Sequence, residues 1–216
     1  EEVDKATLRL KESELETLQM LGKTAEYKDP ETNAHTQRVS HYCKILARAY
    51  GLDENLQDII FYASPFHDLG KIGIPDRILL KPGKLDADEY EIMKKHSQIG
   101  YEILKGSKSK YLKAGGVIAY NHHEKYDGTG YPNGLRGQSI PIFGRITAIA
   151  DVFDALTSIR PYKKAWSVDE AFNLLIEEKN RHFDPILVDL FIKNKEDVMN
   201  IHNKFSQEEL NDKIYL

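Results

Sequence analysis

Eight histidines carry most of the chemistry that this chain of 216 residues can offer: His35, His41, His67, His96, His122, His123, His182 and His202. Five of them stand beside carboxylates or beside one another in a way that suits metal ligation: Glu31 with His35, His67 with Asp68, His96, His122 with His123, and Asp151 further on. Glu31 and His35 are four residues apart, so on one helix both leave the same face with Cβ atoms about 5 to 6 Å apart, close enough to share an ion. The same pair reads equally as an ordinary surface contact. His122 and His123 are adjacent, and neighbours on a helix diverge by about 100°, so if both are ligands two ions are implied. Asp68 follows His67 at the end of an apolar helix and precedes Gly70; its two oxygens can bridge two ions while His67 binds one. Mixed nitrogen and oxygen ligation suits Fe, Mn or Zn better than the oxygen-only sites of Mg or Ca. Any one of these histidines alone is more often a hydrogen-bonded core or surface residue.

Such side chains need a rigid frame, and the sequence pattern supplies helices. Residues 3–28 hold no proline and one glycine, with Leu8, Leu15, Leu18 and Ala25 at heptad core positions and Lys11 and Gly22 interrupting two others. That predicts a linker helix able to pair with a second copy. Asp29-Pro30-Glu31 reads as a new helix start and domain boundary: an N-cap oxygen, a proline at the first helical position and an acid in the first turn. Asp53 should cap a helix over 54–67, while Asp86 with Glu89 and Ser167 with Glu170 form capping boxes for 87–104 and 168–179. Two stretches rich in Gly and Pro, 70–83 and 127–141, read as loops. Strand-like alternation is absent. The expected fold is therefore all-α, a bundle of about seven to nine helices. A linker helix over 1–28, a catalytic domain over 29–205 and a tail over 206–216 make up the expected organisation.

Composition narrows the partners. With 41% apolar and 30% charged residues the chain is of the ordinary globular kind. No run approaches the roughly 18 apolar residues of a membrane span, and the charged start lacks a signal-peptide core, so a cytoplasmic location without membrane insertion is expected. A net charge of −4 gives no general attraction to DNA, so a phosphate substrate must be held by local cations or by metal. The single cysteine, Cys43, excludes an internal disulfide, suits a reducing compartment and stands at a helical position that packs as a small apolar group. Because the chain does not open on Met, an upstream sensor or receiver domain is expected before Glu1.

His67-Asp68-Leu69-Gly70-Lys71, then His122-His123-Glu124-Lys125-Tyr126-Asp127-Gly128-Thr129-Gly130-Tyr131-Pro132, then Arg160-Pro161-Tyr162-Lys163 resemble the HD-GYP family, a branch of the HD metal-dependent phosphohydrolases. The resemblance runs from about Asp29 to Phe191 and includes Gly73-Ile74-Pro75-Asp76, Lys81-Pro82-Gly83-Lys84-Leu85 and Phe183-Asp184-Pro185. Members of that family are bacterial cyclic di-GMP phosphodiesterases with an HD-type helical bundle. One departure is visible: members often carry a glycine just before the Phe-Asp-Pro turn, where this chain has Lys179-Asn180-Arg181-His182.

The resemblance implies metal ligands at His35, His67, Asp68, His96, His122, His123 and Asp151, with Asp68 bridging, and a third ion at Glu31. It implies two or three divalent ions, Fe or Mn, and cyclic dinucleotide contacts at Lys71, Tyr131, Asp154, Arg160 and Lys163. The implied reaction is hydrolysis of cyclic di-GMP to pGpG and on to GMP through a metal-bridged hydroxide, with Asp68 and Lys71 as catalytic residues. Elementary chemistry fits it: Lys71 can neutralise charge on a non-bridging oxygen, Arg160 and Lys163 can grip the other phosphate, and Tyr131 offers a flat face to a guanine. Two alternatives stay open, a catalytically weak cyclic di-GMP receptor and an HD hydrolase of another cyclic dinucleotide. Homodimerisation through the N-terminal helix completes the expectations.

Overall fold

A computed structural model describes residues 2–25, 33–158 and 165–214; Glu31, Arg160, Lys163 and the helix start expected at Asp29-Pro30 lie outside the described residues. The described chain is helical: α1 (Glu2–Ala25), α2 (Asn33–Tyr50), α3 (Glu54–Ala63), the single turn α4 (Asp76–Leu79), α5 (Ala87–Leu104), α6 (Lys110–Asn121), α7 (Ile142–Thr157), α8 (Val168–Glu177), α9 (Pro185–Lys193) and α10 (Lys195–Ile214). Among the described residues there are two isolated bridges, Asp127 to Arg136 and Lys179 to Phe183, and no strand. Beyond the linker helix α1 the described residues hold nine helices, within the expected seven to nine, and the Gly70–Gly83 stretch, read as loop, folds one of them, α4, and a 3₁₀ turn over Leu69–Gly73.

Helix starts follow the capping chemistry. Asp53 accepts from the Leu56 amide, and both expected capping boxes form at Asp86 and Ser167. The helix expected over 54–67 stops earlier, at Ala63. Pro65 has no N–H to donate and disfavours α geometry in the residue before it, so the chain tightens into a 3₁₀ turn, Ser64–Phe66. This break delivers His67 and Asp68 from a turn rather than from a straight helix.

The centre is built around α7, whose Ile146, Ile149, Ala150 and Phe153 are fully buried in one cluster with Val39, Tyr42 and Leu46 of α2 and Phe191 of α9. Phe153 meets Tyr42, Phe172 and Phe191 with ring centroids 5.5, 4.9 and 5.1 Å away, and truncating such a ring costs about 3 to 5 kcal/mol. Cys43 is buried in this cluster, as its position implied. A second cluster joins Leu18 of α1 to Ile59, Phe66, Leu104 and Tyr111. Leu15 packs there too, so two of the heptad positions are covered by the chain's own domain, whereas Val3, Leu8 and Leu10 stay exposed. At the other end α10 continues from Lys195 through Ile214, across the tail expected from 206.

Asn180 absorbs the missing glycine. It adopts the left-handed φ of 61° that asparagine tolerates better than most residues, and its N–H donates to the Phe183 carbonyl at 2.9 Å.

Candidate metal centre

Five segments bring the ligands together. His35 comes from α2, His67 and Asp68 from the turn after α3, His96 from α5, His122 and His123 from the end of α6, and Asp151 from α7. Close approach of the His67–Asp68 turn to α5 depends on Gly70, where a Cβ would lie 1.8 Å from the His96 carbonyl oxygen, so only glycine fits.

The donor atoms form two groups, Asp68 with His96, His122 and His123, and His35 with His67 and Asp151; within each, one ligand atom per residue lies within 4.8 Å of the others. Asp68 faces both. Its Oδ1 is 3.3 Å from His96 Nε2 and 3.6 Å from His122 Nε2, while its Oδ2 is 3.3 Å from His67 Nε2. Asp151 Oδ1 stands 3.7 Å from His35 Nε2 and 3.8 Å from His67 Nε2.

Hydrogen bonds on the far side of each ring set the tautomers. Nδ1 of His67 lies 2.8 Å from the Ser64 carbonyl, Nδ1 of His96 2.7 Å from the Met93 carbonyl, and Nδ1 of His122 3.1 Å from the Ala119 carbonyl. Nδ1 of His35 lies 2.8 Å from Asp154 Oδ2. A carbonyl or an ionised carboxylate accepts only, so each Nδ1 carries a proton and each ring turns its Nε2 inward. Nε2 of His67 and of His122 and Oδ1 of Asp68 are buried without a hydrogen-bond partner, a costly arrangement in a protein interior unless a cation is held there. The Nε2 atoms of His96 and His123 stand 3.1 Å apart, as two lone pairs sharing a cation or a proton would. Both groups fit divalent metal.

The electrostatics agree. Burial opposes a proton on His67, but the Asp68 and Asp151 carboxylates outweigh it and push its pKa to about 10. The centre therefore attracts positive charge. At His96 burial outweighs the opposing Asp68 carboxylate and lowers the pKa to about 4, and burial with the neighbouring His122 holds His123 well below the ordinary imidazole value. Burial would raise Asp68, yet Lys71 and His67 hold it well below the usual carboxylate range. The Lys71 ammonium sits 2.7 Å from Asp68 Oδ2.

Two expected substrate contacts read differently. Asp154 has no exposure, and both its oxygens are engaged: Oδ1 accepts from Arg38 Nε at 2.6 Å, and Oδ2 from His35, from Arg38 Nη2 at 3.0 Å and from Ser158 Oγ at 3.0 Å. The contact with the dinucleotide expected of Asp154 is thus corrected to a buried support of His35. Tyr131 lies beside the centre, but one face of its ring is stacked on His123 with centroids 4.7 Å apart, so that face is closed to a base. Burial raises its phenol pKa.

Sequence reasoning missed Arg38 and Glu124. Glu124 is 1% exposed, and its carboxylate accepts the amides of Asn133 at 2.8 Å and Leu135 at 2.9 Å. Gly130 presses onto the same segment, where a Cβ would meet the Lys125 nitrogen at 2.2 Å, and Tyr131 N–H donates to the His123 carbonyl at 3.2 Å. Its position directly after two ligands and before a Gly-rich loop was the available signal.

Residues 19–187 match the HD domain family. The chain is 48% identical over 91% of its length to the cyclic di-GMP phosphodiesterase response regulator RpfG of Xanthomonas campestris, and 51% identical over 86% to the 3′3′-cGAMP-specific phosphodiesterase 2 of Vibrio cholerae. It spans 52% and 35% of those proteins. The solved cyclic GMP-AMP-specific phosphodiesterase V-cGAP3 of V. cholerae shares the fold with a TM-score of 0.64 at 19% identity, over 90% of this chain and 53% of that one. A helical bundle of this fold and relatives at this identity, together with the three motifs, place the chain in the HD-GYP branch of the HD-domain family.

Proposed function

We propose that this chain is a metal-dependent phosphodiesterase that opens cyclic di-GMP to pGpG and continues to GMP. The observation that carries the reading is Asp68, whose two oxygens face two separate groups of inward-turned imidazoles and carboxylate. Two divalent ions, Fe or Mn, would be held by His35, His67, Asp68 and Asp151 and by Asp68, His96, His122 and His123, and would supply Lewis acidity and a water of lowered pKa. The remaining work belongs to the protein. Asp68 fixes the spacing of the two groups, Lys71 counters charge on a non-bridging oxygen, and Arg160 with Lys163 holds the second phosphate. Glu31 extends the His35 group toward a third ion.

A homodimer through the N-terminal helix, supported by the exposed Val3, Leu8 and Leu10, and an upstream sensor or receiver domain complete the reading, with a cytoplasmic setting. No helix among the described residues is long and apolar enough to cross a membrane. A second reading, hydrolysis of 3′3′-cGAMP, is favoured by the relative at 51% identity. Asp68→Ala tests the proposal: removing the shared carboxylate should release both ions and abolish turnover of cyclic di-GMP. Full metal content with undiminished turnover would refute it.

A further inference from the structure

On the His96 side of the centre, α5 carries a group of side chains with no part in ligation. Tyr90 is 49% exposed, and Lys94, four residues on along the same face, holds its ammonium 5.6 Å from the Tyr90 ring centroid and 5.7 Å from that of Tyr131. The Tyr90 and Tyr131 rings meet edge-on at 6.4 Å. Tyr131 in turn lies 4.7 Å from His123 and 6.4 Å from His96, so this group borders the ligands directly. One face of Tyr131 is covered by His123, and the exposed Tyr90 ring adds a second aromatic surface beside it. Lys94 also pairs with Glu91 at 2.6 Å, a contact of the half-buried Lys94 with an exposed carboxylate of the same helix.

We infer that Tyr90 and Lys94, brought beside Tyr131 at the His96–His123 edge, form a guanine-reading subsite for one base of the cyclic dinucleotide. The inference rests on the phosphodiesterase reading above. An exposed aromatic ring stacks any base. The ammonium supplies what stacking lacks, a preference: guanine offers two acceptors, O6 and N7, along one edge, whereas adenine places an amino donor where O6 would be. A lysine at this wall therefore favours guanine. It accepts cyclic di-GMP in either orientation and 3′3′-cGAMP in one, and it disfavours cyclic di-AMP.

The test uses the metal-loaded chain and compares KM for cyclic di-GMP with KM, or the competitive inhibition constant, for cyclic di-AMP. Lys94→Met keeps the apolar stem and helix propensity while removing the donors. It should raise KM for cyclic di-GMP about fivefold to tenfold with kcat nearly unchanged, and leave cyclic di-AMP as it was. Tyr90→Ala should weaken both nucleotides and Tyr90→Phe neither. Lys95→Met, on a neighbouring face of α5, serves as the control and should change nothing. Turnover by the parent chain with an unaltered guanine-to-adenine ratio in Lys94→Met would overturn this inference alone. A parent chain that opens no cyclic dinucleotide would overturn the phosphodiesterase reading and this one with it.

Discussion

Replacing Asp154 by Asn separates a structural carboxylate from a nucleotide contact. The two side chains are nearly isosteric, but Asn turns an amino donor toward one of two sides that both present donors: Arg38 at Oδ1, and His35, Arg38 and Ser158 at Oδ2. His35 and Arg38 hold the Asp154 pKa near about 2 in spite of burial, against an ordinary value of 3.8. That difference is worth about 2 to 3 kcal/mol, and taking the Asp154 charge from the 1%-exposed Arg38 adds to the loss. The sign follows from the depressed pKa: this stability is present above the unfolded value near 3.8 and is lost as pH falls through about 2. Urea denaturation of the chelated protein should therefore show the largest deficit in Asp154→Asn near neutral pH, and the deficit should shrink between about pH 4 and pH 2. Metal affinity should fall about 10- to 100-fold, since His35 loses the acceptor that fixes its tautomer. A variant with parental stability and metal affinity and only a raised KM for nucleotide would refute the assignment.

Gly70→Ala places a methyl group 1.8 Å from the His96 carbonyl oxygen, so thermal denaturation should show an exceptional loss, about 4 kcal/mol or more, and metal analysis should show depletion of the His96 group. Parental stability in that variant would mean that the turn and α5 do not meet so closely. Glu31→Ala should remove about one equivalent of metal and reduce turnover without ending it, because the Asp68-centred pair keeps its ligands; an unchanged metal-to-protein ratio, measured without air, would reduce Glu31 to a first-turn carboxylate.

The helical class and its boundaries were readable where local chemistry decides them, as at Asp53, Asp86 and Ser167, whose side chains cap their own helices. The seven expected metal ligands among the described residues all reach the centre, since their motifs specify residue type and spacing together. What escaped depends on partners distant in sequence. Asp154 and Arg38 lie 116 positions apart, so nothing local announces that one neutralises the other. Glu124 shows its use only once the loop has folded back to Asn133 and Leu135. The break at Pro65 was legible and its effect was not, since a proline near a helix end can end the helix or tighten its last turn.

The most direct test of the two-ion account is metal analysis under anaerobic conditions with cyclic di-GMP turnover measured on the same sample. At least two equivalents of Fe or Mn per chain, with product formation that is lost on chelation and restored on reloading either metal, is the predicted result. Chelator-resistant turnover by metal-depleted protein, or a fully loaded chain that leaves cyclic di-GMP intact, would contradict it.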